Sequence, residues 1–257
     1  MGTPGQRRGG IGWEIASLPL LLLVWQVLAL VVAHRLFPGP IAVAGAMVSM
    51  AGEGRLLADL GKTLLRALSA FGIAMVLGTA LGIWLGRHNW ADRLFSGWVV
   101  VGLNLPAIVV AIVFYIWLGL TELALIAAVV VNKAPLVIVT IREGVRSFSA
   151  EYEELAELLR LDFLGRLALI YWPQLLPFVL AAARTGMSLI WKIVLVFEVL
   201  GSDGGVGYRV GVFFQFFDVT AILAYASSFI LVVLGFEYGV LRPLERRAMA
   251  WRHTASA

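Results

Sequence analysis

The chain has no cysteine among its 257 residues, which excludes disulfides and thiolate metal sites and leaves the redox compartment unread. Histidine is almost as scarce: His34, His88 and His253 fall at the ends of apolar stretches or in the tail, so no metal site is expected. Charge is sparse as well, at 14% of residues against 61% hydrophobic, where a soluble domain carries about 25% charged residues. HExxH and GxSxG are absent. Converging polar groups inside apolar stretches are too few for an intramembrane enzyme. Gly61-Lys62-Thr63 has the ending of a phosphate-binding loop, but position 56, where that loop needs glycine, is Leu56, and no strand is expected before it. The chain therefore binds no nucleotide by this route, and uphill work must draw on a partner or an ion gradient. No nucleic-acid partner is expected.

What is present is a series of apolar runs long enough to cross about 30 Å of hydrocarbon, which takes about 20 residues as a helix. The chain reads as an all-α, polytopic membrane protein with six transmembrane helices. The spans fall at about Ser17–Ala33, Leu64–Leu85, Trp98–Leu118 (interrupted by Pro106), Leu123–Ile141, Leu175–Leu200 and Ala221–Leu241. Residues 1–16 are expected to form a tip and 242–257 a basic tail around one membrane-spanning unit, 17–241, whose core is about 60–241. Pro38-Gly39-Pro40 breaks the chain after span one, and residues 41–60 look like a short helix near the outer surface. Residues 201–218 read as a Gly-rich loop.

With both termini cytoplasmic, the inner segments hold Arg7, Arg8, Arg87, Arg93, Arg142, Arg146, Arg160, Arg166, Arg242, Arg246, Arg247 and Arg252. The outer segments hold only Arg35, Arg55, Lys62 and Arg209, so this orientation obeys the positive-inside rule. It also puts the polar segment of about 147–168 in the cytoplasm. That segment gathers Glu151, Glu153, Glu154 and Glu157, and carboxylates at the bilayer centre each cost roughly 2.5–3.5 kcal/mol. It reads as two short helices, with Leu155, Leu158 and Leu159 apolar and Asp162 able to cap the second. Pro173 and Pro177 then return the chain to the membrane. A plain interfacial amphipathic loop is the alternative reading.

Span two carries Ala70, Ala74, Gly78, Gly82 and Gly86 at every fourth place, a stripe that suits close packing either within the chain or against a second copy. Lys133, Lys192, Glu198 and Arg184 are ionisable residues inside spans, where function with a partner is the default and snorkelling at a helix end the alternative. Lys192 and Glu198 are six apart and face different ways. Asn104, Asn132, Lys133, Lys192 and Glu198 are the candidates for lining a path, and a basic group there would suit an anionic solute.

Glu154-x-Ala156, followed by Trp172-Pro173-x-x-Leu176-Pro177, resembles the cytoplasmic EAA loop of binding-protein-dependent ABC transporter permeases. Leu36–Pro40, Thr63–Leu68, Trp117-Leu118-Gly119 and Gly144–Ser147 fit the same family. Trp191-Lys192, Glu198–Gly201, Gly205–Tyr208 and Glu245-Arg246-Arg247 resemble its nitrate/sulfonate/taurine branch. The pieces run in order over about residues 36–252. The resemblance departs at Arg160, where glycine is usual between the two loop helices, at Leu155 for alanine, and at Ala107 for a proline. Arg160 is expected to turn the chain in another way than glycine, or to lengthen the helix.

The resemblance implies a type I ABC importer permease in a bacterial inner membrane, carrying a small solute such as a sulfonate, taurine or nitrate. It implies a homodimer, less often a heterodimer, that holds no cofactor of its own, a solute-binding protein, and a separate ATPase subunit that binds the ATP. Glu154, Ala156, Glu157, Arg160, Asp162, Pro173 and Pro177 would couple to that ATPase. An ion-coupled secondary transporter is the rival, though it would need inverted repeats and several broken helices, and only Pro106 marks a clear mid-span break. An intramembrane enzyme is the third reading.

Overall fold

The computed structural model describes residues 10–244 and 246, without the side chains of residues 10–16, Ala150, Glu153 and Phe163. Arg7 and Arg8 of the expected tip, and Glu245, Arg247, Arg252 and His253 of the expected tail, lie outside the described residues. The elements are α1 (Gly10–Val32), α2 (Pro40–Gly52), α3 (Arg55–Arg87), α4 (Asn89–Asn104), α5 (Ala107–Leu118), α6 (Glu122–Arg146), α7 (Ala150–Leu158) and α8 (Phe163–Arg166). A π-helical turn (Leu167–Tyr171) joins α8 to α9 (Trp172–Gly201). Next come α10 (Val206–Gln215) and α11 (Val219–Phe236), which ends in a second π turn (Glu237–Leu241). Among the described residues there is no strand.

Four helices are long and apolar enough to cross a membrane: α3, α6, the continuous run Leu164–Gly201, and Val219–Leu244. The span expected at Trp98–Leu118 is instead two helices, α4 and α5, that meet at 99°. Pro106 supplies the break: it lacks an N–H, and it biases Leu105 to the extended conformation observed (φ −66°, ψ 124°). Counting that pair once gives up to five crossings, and the shorter apolar helix Ser17–Val32 is compatible with a sixth. Span two begins nine residues earlier than its apolar run suggests. The 33 residues of α3 reach about 50 Å, well beyond the hydrocarbon. The loop expected over 201–218 contains the ten-residue helix α10.

The small-residue stripe lies against α6 of the same chain. A Cβ at Gly78 would stand 2.6 Å from Val137 Cβ, one at Gly82 2.7 Å from Ile141 Cβ, and one at Gly86 2.7 Å from Val145 Cβ. Each contact advances four residues on both helices, so α3 and α6 run parallel with their backbones in close approach. Ala70 and Ala74 continue the face into the main core, where they join Leu125, Ala128, Met187, Ile190 and Phe197. Helix α9 runs antiparallel to α6, with Gly144 close under Phe178 at one end. Two helices carry side-chain caps of ordinary type: Thr121 Oγ1 accepts from Ala124 N (3.2 Å) and Asp218 Oδ1 from Ala221 N (3.0 Å).

Candidate functional site

The polar segment between α6 and α9 folds as an elbow. After α6, Ser147 Oγ donates to the Gly144 carbonyl (2.8 Å), and Ser149 N donates to Gln174 Oε1 (3.2 Å), fastening the entry of α7 to the base of α9. On α7, Ala156 is wholly buried, whereas Tyr152, Leu155 and Leu158 are exposed, Leu158 at 81%, as is Leu159 just after the helix. Glu151, Glu154 and Glu157 are exposed around them. The segment therefore presents apolar knobs inside a carboxylate rim.

The turn out of α7 corrects one expectation. Arg160 adopts φ +49°, the left-handed conformation that glycine would take, instead of another turn or a longer helix. Leu161 N donates to the Ala156 carbonyl and Arg160 N to the Glu157 carbonyl, both at 3.0 Å, which is the Schellman closure of a helix end. Two satisfied carbonyls thus hold a conformation that costs a side-chain-bearing residue about 1–2 kcal/mol. Arg160→Gly is expected to stabilise this turn by about 1 kcal/mol and to slow hydrogen exchange over 156–161. Faster exchange there would contradict the assignment.

Asp162 Oδ1 accepts from Gly165 N (2.9 Å) and caps α8 as expected. The prolines do not break the chain: Pro173 occupies the first turn of α9, where a missing N–H is tolerated, and Pro177 lies within the same continuous helix. The π turn just before them holds Trp172 N on the Leu167 carbonyl. Ser147, Tyr152, Ile170, Gln174 and Pro177 line a groove of about 550 Å³ between α7 and α9.

At the opposite end of the spans lies a buried ionic knot. Glu198 has no exposed surface and accepts from Thr63 Oγ1 (2.9 Å), Arg66 Nη1 (2.7 Å) and Gly207 N (2.8 Å). Arg66, 4% exposed, also reaches the Gly204 carbonyl (2.6 Å), Asp203 (3.2 Å) and Glu122, which it engages through both Nε (2.7 Å) and Nη2. Asp59 accepts from Gly205 N (3.0 Å), Arg209 Nε (2.9 Å) and Tyr225 Oη (3.2 Å), while Val206 N donates to Thr63 Oγ1 (2.8 Å). The N–H groups of Gly205, Val206 and Gly207 open α10, and all three find side-chain acceptors on α3 or α9. Buried carboxylates thus stand where the helix N-terminus is partially positive. Arg209, outside the spans, is raised above the ordinary arginine pKa, first by its bond to Asp59.

Asp59, Thr63 and Arg66 did not stand out in the sequence as site residues. Their spacing of four and three does continue the Ala70–Gly86 face, and that is the signal from which they were legible.

The path candidates separate. Asn132 Nδ2 donates to the Leu105 carbonyl (3.4 Å), which brings Asn132 to the α4–α5 break beside Asn104, whose own Nδ2 bonds the Val100 carbonyl (2.8 Å). Lys133 points about 100° further round α6. It is 4% exposed and forms no hydrogen bond or ion pair with another described residue. Lys192 is exposed and lines a groove of about 500 Å³ between α9 and α11, together with Arg184, Ser188, Trp191 and Phe229. Glu198 is apart from all of these, inside the knot. Among the described residues no group of histidine, aspartate and glutamate has the arrangement of a metal site.

Residues 78–241 match the family model described as "Binding-protein-dependent transport system inner membrane component". A putative aliphatic sulfonates transport permease protein, SsuC of Bacillus subtilis (strain 168), is 24% identical over 98% of this chain and 91% of its own. The taurine transport system permease protein TauC of Escherichia coli (strain K12) is 23% identical over 93% of this chain and 89% of its own. Among solved structures, a chain of the MetNI methionine ABC transporter in an inward-facing conformation superposes with a TM-score of 0.65 at 15% identity, covering 77% of this chain and 98% of that one. That likeness concerns the fold.

Proposed function

The chain belongs to the family of binding-protein-dependent transport system inner membrane components, and on that premise we propose that its acidic elbow is the contact through which a separate ATPase subunit drives transport. The chain is the permease subunit of an ABC importer and is not itself an enzyme. Two copies form the translocation path, both termini lie in the cytoplasm, and a binding protein delivers the solute from outside.

The observation that carries the coupling role is the exposure of Leu155, Leu158 and Leu159, on α7 and its C-terminal cap, within a rim of Glu151, Glu154 and Glu157. Apolar anchors bury on docking, and the charged rim sets orientation and partner choice. Ala156, Arg160 and Asp162 shape the elbow, and Pro173 and Pro177 lie in the helix that transmits its movement. Closure of the ATPase pair would draw two elbows together and rock α9 and α6 between the two access states.

Lys192 supports an anionic solute, of the kind named for the sulfonate and taurine relatives. A lysine exposed in mid-span cannot face lipid without the penalty noted above. It therefore faces water or the second copy, as do the polar groups Asn104 and Asn132 at the break. Lys133 stands behind them in reserve, and Glu198 acts by positioning α10 instead of lining the path.

In vesicles that hold the permease, its ATPase and its binding protein, Glu154→Lys is expected to cut solute uptake at least tenfold while the chain inserts normally and ATP hydrolysis persists. Uptake and hydrolysis at wild-type ratio would remove the docking assignment.

A further inference from the structure

Behind the elbow, on the side away from Ser147 and Gln174, a second groove of about 640 Å³ opens between the end of α3, the end of α6 and the turn 164–175. Ile83, Val145, Leu164, Leu167 and Leu175 make it largely apolar. At its rim the Arg87 guanidinium stands 4.6 Å from the centre of the Tyr171 ring, and Tyr171 stacks on Phe148 at 5.8 Å. Arg87 is exposed and pairs with no carboxylate among the described residues. The contrast with its neighbours is sharp, because Arg142 and Arg146 both engage Asp92 and Glu143. Trp172 and Trp90, both largely exposed, are near this end of the spans, where indole rings favour the membrane interface.

An apolar slot whose mouth holds a cation that meets no carboxylate among the described residues matches the two halves of a phospholipid. A wholly apolar helix would fill the slot and leave the guanidinium unanswered, and a soluble acidic peptide would answer the guanidinium and leave the slot empty. Anionic headgroups of the cytoplasmic leaflet concentrate at arginine side chains.

We propose that this groove binds an anionic phospholipid of the cytoplasmic leaflet, with an acyl chain along Leu164–Leu175 and its phosphate on Arg87. The bound lipid braces the Phe148–Tyr171 stack, and so the π turn from which the elbow hangs. The assignment of leaflet rests on the orientation proposed above.

The test uses the full-length chain with phosphatidylglycerol and phosphatidylcholine as competing probes, read by native mass spectrometry and by hydrogen exchange over 164–172. The wild type is expected to retain phosphatidylglycerol at least fivefold over phosphatidylcholine and to exchange more slowly with it bound. Arg87→Gln should lose that preference, Arg87→Lys should keep most of it, and Ala168→Trp, which fills the slot, should lose retention of both lipids. Equal retention of the two lipids by the wild type, or an unchanged preference in Arg87→Gln, overturns the proposal. So does protection of 164–172 without lipid, as a second copy or the tail would give. Because the chain has no cysteine, Trp90→Cys reports the side on its own: labelling from outside the cell would refute the leaflet. None of these readouts uses ATP or solute, so a failed uptake experiment leaves them standing, and the reverse holds.

Discussion

Glu198→Ala is expected to destabilise the folded chain by about 3–5 kcal/mol, the range for breaking one side of a buried ion pair. The side chain has no exposed surface, so its partners depend on it instead of on bulk water. Thr63, Arg66 and the Gly207 N–H would each lose this acceptor in a buried site. Arg66 keeps Glu122, which limits the loss of the ion pair. The Gly207 N–H has no such alternative, although Gly205 N and Val206 N keep Asp59 and Thr63. Asp203→Ala provides the comparison: that carboxylate also meets Arg66 but is 81% exposed, and its removal should shift stability by less than about 1 kcal/mol. Thermal unfolding in detergent separates the two variants. Equal shifts would show that the knot is an exposed network after all.

Gly82→Val is expected to be the most damaging change along the α3–α6 seam, at about 3 kcal/mol. Its Cβ would stand 2.7 Å from Ile141 Cβ and 2.9 Å from the Ile138 carbonyl. One of those atoms belongs to a helix backbone and cannot swing aside, so two long helices would have to separate. Gly72 lies on the same helix with nothing within 4 Å of its hypothetical Cβ. Gly72→Ala should therefore gain up to about 1 kcal/mol from helix propensity. Unfolding midpoints that fall together for both variants would mean the stripe does not carry the seam.

Much of this fold was legible in the sequence, because a long apolar run must be a helix when lipid cannot satisfy a backbone. Leu123–Ile141, Leu175–Leu200 and Ala221–Leu241 were read within a few residues of α6, α9 and α11 with its π turn. The start of α3 was not, since Asp59 and Lys62 look like an end to the apolar run, and only partners distant in sequence let Asp59 and Arg66 be buried. The same partners create α10: Gly204 and Gly205 read as loop, and the acceptors that cap the helix come from residues more than 130 positions away in Asp59 and Thr63. Pro106 announced a break but not its angle. Arg160 shows the opposite error, in which a residue-type rule forbade a conformation that two hydrogen bonds impose. The elbow's exposed leucines and the capping by Asp162 were visible from composition and spacing, because they depend on local geometry alone.

The π turn at Leu167–Tyr171 makes the heading of the elbow a matter of counting. A wide turn holds one more residue than an α-helical turn, and each residue rotates a helix by about 100°. Everything upstream of Leu167 is therefore aimed about a quarter-circle away from where an uninterrupted helix would point it. The length of this single turn, and not the chemistry of α7, fixes the azimuth at which the leucine knobs meet whatever grips them.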